Sequence, residues 1–375
     1  MNILVLSWRD PKHPLAGGAE QVMHEHMKGW IAAGHSVTYF SSAVRGVPNR
    51  EVVDGISMIR KGSQYITVHL AACLWYLFSK HPKFDVVIDE FHGWPFFTPL
   101  YVRIPKLAVI QEVTRKVWFH YPLPLGLNYI VGAIGYILEP TFFWFYRSVP
   151  FITGSESAKR ELSSMGIDTS HITVVPHGVI IERPSKRIAK EKIHTVVFLG
   201  ALAKDKGIED ALKVFELLNS LGTYQFWVMG KGENQYLTHL KSLAKKYGID
   251  KQTTFWGFVS QQKKFELLSR AHVMVNPSIR EGWGLVNIEA NAMSTPVVAY
   301  PSAGLIDSVQ DKKTGIIVSK STPEALATAI HTLMDDRKKL SLLQTGAYHW
   351  SERFNWESSR ALSLSLLTKA AKRVH

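Results

Sequence analysis

At 375 residues, with 46% hydrophobic and 20% charged side chains, the chain is too long for one hydrophobic core and too apolar to be disordered, so two folded domains are expected. Its single cysteine, Cys73, excludes an internal disulfide framework and a cysteine-rich zinc site, and fits a reducing, cytosolic compartment. The formal net charge of +13 fits either a solvated basic surface or anionic partners, of which nucleic acid is set aside because no zinc-finger spacing or aromatic RNA-binding signature is present, leaving anionic membrane and phosphorylated substrates.

Read from the first residue, Met1–Ser7 lacks the basic flank and the length of a signal peptide and is expected to form a buried parallel strand, centred on Ile3–Leu6. The following loop, Ser7–Glu20, ends in Leu-Ala-Gly-Gly-Ala-Glu. There Gly17 and Gly18 allow close backbone approach by a ligand, and the helix N-terminus behind them favours negative charge. Across Ala19–Ala33, Val22, Met23, His26, Met27, Trp30 and Ile31 recur at helical spacing, and Gly34 follows as a helix-ending glycine. Glu20, His24 and His26 lie near the first loop, and the histidines read as surface or packing residues. Val37–Phe40, Val86–Ile88, Leu107–Ile110 and Phe151–Thr153 are the further strands expected in this half.

Residues 118–151 combine aromatics, prolines and a nearby arginine. Leu127–Leu138 is too short to span a bilayer, which needs about 20 apolar residues, and Glu139-Pro140 is expected to interrupt the segment beyond it. Two readings stay open, a buried helix pair or a surface that dips into a membrane, and the aromatics and arginine favour the second.

Residues 182–194 are polar and strongly charged and read as an interdomain linker. The alternation of strand and helix then restarts with Thr195–Leu199, Ile208–Leu218, Gln225–Val228, Val273–Asn276, Leu285–Met293 and Pro296–Ala299. This is an α/β pattern of two doubly wound domains in succession. Because parallel sheets bind ligands at the carboxyl ends of their strands, the strand-to-helix loops are where chemistry is expected. Gly200 to Gly207, with Lys206, suits a phosphate cradle but is neither a Walker loop nor a dinucleotide fingerprint. Asn276 to Ala292 follows an apolar strand, with Gly282 and Gly284 at the helix start, Glu281 in the loop and Glu289 more than a turn inside the helix. A carboxylate that deep in a core-facing helix must find donors or shift its pKa, and sugar or ribose hydroxyls are natural donors.

These loops together resemble glycosyltransferase family four, retaining enzymes of the GT-B type, over nearly the whole chain. The resemblance rests on Gly17–Glu20, on Pro176-His177-Gly178-Val179 before the linker, on Gly200 and Lys206-Gly207, on two glutamates with seven residues between them (Glu281 and Glu289), on Glu-Gly-Trp-Gly-Leu at 281–285, and on a late helix at Trp356. It implies an N-terminal acceptor-side Rossmann-like domain over 1–181, the linker 182–194, a nucleotide-sugar-binding domain over 195–355, and a final helix, 356–375, returning to the first domain, the two domains facing across a cleft. It further implies that Lys206 binds the donor diphosphate and stabilises the leaving phosphate, and that Glu281 holds donor-sugar hydroxyls. The amides around Gly282, Gly284 and Leu285 would contact sugar or phosphate, Glu289 the ribose, and Gly17 and Gly18 the diphosphate from the opposite domain. Two positions depart from the family pattern: its Gly-Arg is Gly200-Ala201, and a first-domain histidine is Gln111, followed by Glu112, with Arg115 or Lys116 able to supply the missing charge. Without an Asp-x-Asp motif, no metal is expected, and no cofactor beyond the nucleotide-sugar substrate.

The activity implied is retaining transfer of a sugar to a glycan or lipid-linked acceptor in polysaccharide or glycolipid synthesis, cytoplasmic and peripheral at the inner face of the membrane. A sugar-nucleotide epimerase and a non-catalytic GT-B scaffold are the alternatives; a nicotinamide dehydrogenase lacks its glycine fingerprint.

Overall fold

A computed structural model describes residues 1–64, 67–114, 118–119, 127–185, 188–279 and 281–372. The chain divides into two compact units, Met1–Gly178 with Trp356–His375, and Val179–Asn355. Residues 182–194 thus fall inside the second unit.

The first unit carries β1 (Asn2–Ser7), α1 (Gly18–Ala32), β2 (Ser36–Ser41), β3 (Arg50–Val53), β4 (Ile56–Arg60), α2 (Thr67–Phe78), β5 (Val86–Glu90), α3 (Thr98–Tyr101), β6 (Lys106–Val109), α4 (Leu127–Trp144), β7 (Phe151–Thr153), α5 (Glu156–Ser164) and β8 (Ile172–Val174). The strands form one sheet in the order β3-β4-β2-β1-β5-β6-β7-β8, parallel except for the β3–β4 pair. Alternate residues of a strand face opposite sides, and the core divides accordingly. Ile3 and Val5 pack with Met23, Met27 and Trp30 of α1 on one face. Leu4 and Leu6 pack with Val68, Ala72 and Trp75 of α2 on the other, which is also the face where Ala108 and Ile110 meet Phe143 and Tyr146. The crossovers agree: the chain moves one way along the sheet from β1 to β2, and the other way from β4 to β5 and from β6 to β7.

The second unit carries β9 (His194–Leu199), α6 (Ile208–Leu221), β10 (Tyr224–Met229), α7 (Asn234–Lys246), β11 (Thr253–Gly257), α8 (Gln261–Arg270), β12 (Val273–Asn276), α9 (Leu285–Ala292), β13 (Val297–Ala299), α10 (Leu305–Ser308), β14 (Gly315–Ile317), α11 (Pro323–Asp335) and α12 (Arg337–Ser351). Its sheet is parallel throughout, in the order β11-β10-β9-β12-β13-β14. The last helix, α13 (Trp356–Lys372), belongs to the first unit and packs along α1. There Ser359 Oγ lies 3.1 Å from His26 Nε2, and Trp30 Nε1 donates to Ser363 Oγ at 3.2 Å.

Three sequence expectations need correction. The helix across Glu139-Pro140 is not interrupted: α4 runs through Pro140 to Trp144. Glu139 is buried there and anchors the helix, accepting from Thr114 N at 2.7 Å and Trp118 Nε1 at 3.1 Å. The reading of this region as a buried helix pair also fails, since the outer side of α4 is exposed. Finally, β3, β4, β8, β11 and β14 are strands absent from the sequence reading. Among the described residues, no helix is long and apolar enough to cross a membrane.

Candidate active site

In the second sheet, the chain leaves β9 toward β10 on one side and later returns to β12 on the other. The loops after β9 and β12 therefore diverge, which is where parallel sheets open a crevice. Those two loops are stitched together. Ile279 N donates to Asp205 O at 3.0 Å, and Ser278 Oγ donates to the same carbonyl at 3.3 Å. Gly207 adopts φ 70°, and a Cβ there would lie 2.1 Å from the carbonyl oxygen of Pro277. The stitching sets Lys206 Nζ 2.7 Å from Glu281 Oε2, with both side chains partly exposed. Ser278 Oγ lies 3.4 Å from the same carboxylate oxygen.

The chain then enters α9 through Gly284 at φ 86°, a left-handed cap that costs other residues about 1–2 kcal/mol. A buried chain of amides and hydroxyl fixes that cap: Asn276 Nδ2 donates to Asn287 Oδ1 and Asn287 Nδ2 to Ser308 Oγ, each at 2.8 Å. Trp283 is buried against Phe354, ring centroids 4.6 Å apart. The first amides of α9, around Leu285, thus open beside Lys206–Glu281, where a helix N-terminus favours an anion. Gly200 sits at the β9 exit, its N–H donating to Met229 O at 3.1 Å. Glu289, a turn further into α9, does not join Lys206. It pairs with Lys264 of α8, and the two side chains are only 14% and 13% exposed. Burial raises the Glu289 carboxyl's pKa, and Lys264 opposes the rise.

In the first unit the direction of winding reverses between β1 and β5, and the loops leaving these strands carry a second cluster. The Arg9 guanidinium lies 4.0 Å over the Trp8 ring, and Trp8 stacks on His92 at 5.5 Å. His92 Nδ1 is 3.9 Å from Glu112 Oε1, so the exits of β1, β5 and β6 are linked. Arg9 also donates to Glu20 at 2.8 Å, and Gly17 N donates to the other oxygen of Glu20 at 2.7 Å. The start of α1 thus already carries a carboxylate, neutralised by Arg9. Gly17 and Gly18 are exposed. Gly17 has φ −138°, ordinary for any residue, and a Cβ on it would approach nothing closer than 3.8 Å. Neither backbone nor packing demands glycine there.

At the end of β5, Glu90 is buried. Burial, and next the nearby Glu20 carboxylate, push its pKa up to about 8. Gln111 borders Gly154, where a Cβ would lie 2.2 Å from His177 Nε2 and 2.9 Å from Gln111 Oε1. Arg115 and Lys116 lie outside the described residues. His24 pairs with Asp54 at 2.8 Å, and His26 is buried under α13. Trp8, Arg9, Glu90, His92 and Lys264 were not singled out from sequence. The rule that ligands meet strand carboxyl ends would have pointed to the first four; nothing in the sequence marks Lys264. Among the described residues, no group of three or more His, Cys, Asp or Glu is placed to hold a metal ion.

Two family models match the chain: Glycosyltransferase Family 4 over residues 16–183 and Glycosyl transferases group 1 over residues 180–350. The glycogen synthase of Mycobacterium tuberculosis is 27% identical over 371 residues, an alignment covering 90% of this chain and 86% of that protein. Among solved structures, sucrose-phosphate synthase from Thermosynechococcus elongatus superposes with a TM-score of 0.77 at 19% identity, covering 98% of each chain. Anabaena HepE in complex with UDP-glucose does so with a TM-score of 0.72 at 16% identity, covering 98% of this chain and all of that one (100%).

Proposed function

This chain belongs to glycosyltransferase family 4 and is an enzyme of the GT-B fold, and from that premise we propose that it transfers a sugar, with retention and without a metal, from a nucleotide-sugar donor to a glycan or lipid-linked acceptor. The observation that carries this reading is the Lys206–Glu281 pair beside the glycine-capped start of α9, at the switch point of the second sheet.

Lys206 and the first amides of α9 receive the donor diphosphate, and Glu281 holds hydroxyls of the sugar. Glu289 takes the ribose hydroxyls, its buried carboxylate held in place by Lys264. Gly17 and Gly18, exposed at the start of α1, leave that loop open to a ligand. In the transfer, the bond from the anomeric carbon to the leaving phosphate oxygen breaks, and a bond to the acceptor oxygen forms on the same face. The acceptor proton passes to the departing phosphate. Charge develops on that phosphate, so Lys206 and the helix N-terminus act where electrostatic stabilisation is largest. In the first unit Gln111 and Glu112, with Arg115, serve the acceptor side. Anabaena HepE has been solved with UDP-glucose, which makes UDP-sugars the first donors to try. The acceptor belongs to polysaccharide or glycolipid synthesis and is met at the inner face of the cell membrane, where the protein is peripheral.

The test is a thermal-shift and turnover screen of UDP-, GDP-, ADP- and dTDP-sugars with EDTA present. One donor should stabilise the wild type and fail to stabilise Lys206→Ala and Glu289→Ala. No response to any donor would leave the non-catalytic scaffold, which the alanine at Ala201 favours. Isomerised donor without transfer would point to an epimerase.

A further inference from the structure

We propose that the α2–α4 face of the first unit is a docking surface for an anionic lipid bilayer. This deepens the membrane part of the function above, rests on it alone, and does not depend on the donor.

Helices α2 and α4 cover the same side of the sheet, opposite α1 and α13. Each has two distinct sides. On α2, Val68, Ala72 and Trp75 are buried, while Leu70, Leu74, Leu77 and Phe78 form an exposed stripe at helical spacing, with Phe78 79% exposed. On α4, Glu139, Phe142 and Phe143 are buried, while Ile130, Ile134, Ile137 and Trp144 form the outer stripe, with Ile137 69% exposed. The inner side of α4 is firmly held: Glu139 accepts from Thr114 and Trp118, and Gly135 passes so close to Trp118 that a Cβ would lie 2.4 Å from that ring. The outer stripe is thus presented by an anchored helix. Trp94, itself exposed, joins the two helices. Its carbonyl oxygen lies 3.0 Å from His69 Nε2 of α2, and its ring meets Phe142 of α4 at 4.9 Å.

Paired apolar stripes of this extent mark an interaction surface. Charge decides between occupants. Neither helix exposes a charged residue, since α2 has none and the only one of α4 is the buried Glu139. Beyond their C-terminal ends, and that of α3, lie the exposed cations Lys80, Lys83, Arg103 and Arg147. Of the acidic residues nearby, Asp85 is engaged by the Asn2 amide at 2.6 Å, and Asp168, which caps the turn whose His171 ring meets the Arg147 carbonyl, by the Ser170 amide at 2.8 Å. In a parallel sheet covered by helices these ends share one edge, so an apolar face is bordered by a basic rim, with Phe78 and Trp144 beside it. That arrangement fits acyl chains under anionic headgroups, with cations and aromatic rings at the interface. A second copy of this chain would bring no counter-charge to the rim, since its own α2 and α4 expose no charged residue.

The full chain is floated with phosphatidylcholine vesicles with and without phosphatidylglycerol, as wild type, as Ile134→Ser/Ile137→Ser, as Leu74→Ser/Phe78→Ser and as Lys80→Glu/Lys83→Glu/Arg147→Glu. Wild type is expected to float with the anionic vesicles, and each variant to lose roughly tenfold or more in partitioning, the charge dependence fading in high salt. Donor-induced thermal shift, measured without vesicles, should be unchanged in every variant, which keeps the donor site and the docking surface separately testable. A wild type that stays with the soluble fraction overturns the proposal, as do stripe variants that float unchanged. So does a wild-type dimer that the stripe variants dissociate, because the face would then belong to a second copy.

Discussion

Lys206 and Glu281 neutralise each other at 2.7 Å, and an incoming diphosphate competes with the carboxylate for the ammonium. Lys206→Ala should therefore act mainly on the step in which charge develops, lowering kcat by ~10²–10³-fold, the range for removing one preorganised donor. Steady-state kinetics on the donor found by screening would check this, and a loss confined to KM would reassign Lys206 to ground-state binding. Gly17→Ala separates approach from stability. Its Cβ would meet nothing closer than 3.8 Å at an ordinary φ, so thermal stability should stay within ~0.5 kcal/mol of wild type, while turnover falls if the diphosphate passes there. Unchanged turnover would remove Gly17 from the site. These residues were legible because each stands in a loop directly after an apolar strand. Glu90 and His92 escape notice in the sequence because the apolar run ends at Ile88, whereas β5 continues through Asp89 and Glu90. Lys264 was illegible in principle: a lysine early in a polar helix looks solvated until its partner on another helix is known.

The strands that escaped the sequence reading share a property. β3, at the edge of the sheet, alternates exposed with half-buried residues, and β4 beside it alternates buried with partly exposed ones, so no continuous apolar run marks them. A turn signal was nonetheless present, since Asp54 and Gly55 both take positive φ, 50° and 80°, the two-residue turn for which Asp-Gly is the preferred sequence. A break at Pro140 is the sequence expectation because proline in a helix interior removes a hydrogen bond and crowds the preceding turn; what the sequence cannot supply is the tertiary anchoring of Glu139. Gly207, in a loop of the second unit, shows the converse, being demanded by packing. Gly207→Ala would place a Cβ 2.1 Å from a backbone oxygen of Pro277, at φ 70°. The stitched loops would have to part, separating Lys206 from Glu281. Loss of donor-induced stabilisation together with a fall in the midpoint of thermal unfolding is expected. A variant of wild-type stability that still binds donor would disprove the stitching as the device that positions the pair.

Two folded units and a returning helix were readable from the restart of the strand–helix alternation and from the late helix at Trp356. Gly178 explains one motif in the tail of the first unit: a Cβ there would lie 2.4 Å from Trp356 N, so glycine lets the outgoing chain pass the incoming helix. What no pattern revealed is how many titratable groups this unit buries. His26 and His177 are buried, and desolvation lowers their pKa values to about 3 and about 4 from the usual 6.5. The unfolded chain therefore takes up protons below pH 6.5 that the folded chain refuses. Their contribution to stability is present above 6.5 and is lost as pH falls toward 4, at up to ~1.4 kcal/mol per pH unit for each histidine. Glu90 has the opposite sign: its folded pKa is raised to about 8 from 4.5, so its contribution is full below 4.5 and is lost as pH climbs to 8. Two histidines outweigh one carboxyl on the acid side, and Glu90 alone acts between 6.5 and 8, so these three groups place the stability maximum of the unit near pH 6.5. Urea midpoints from pH 5 to pH 8, followed by circular dichroism, would test it. Glu90→Gln should flatten the alkaline limb and be more stable than wild type at pH 8, whereas His26→Gln should make the acid limb shallower and leave the alkaline one alone. If Glu90→Gln kept the full alkaline decline, the carboxyl would be ionised in the folded protein, and its burial beside Glu20 would be balanced by hydrogen bonds from Ser7 and Tyr39 and by the charge of Arg9.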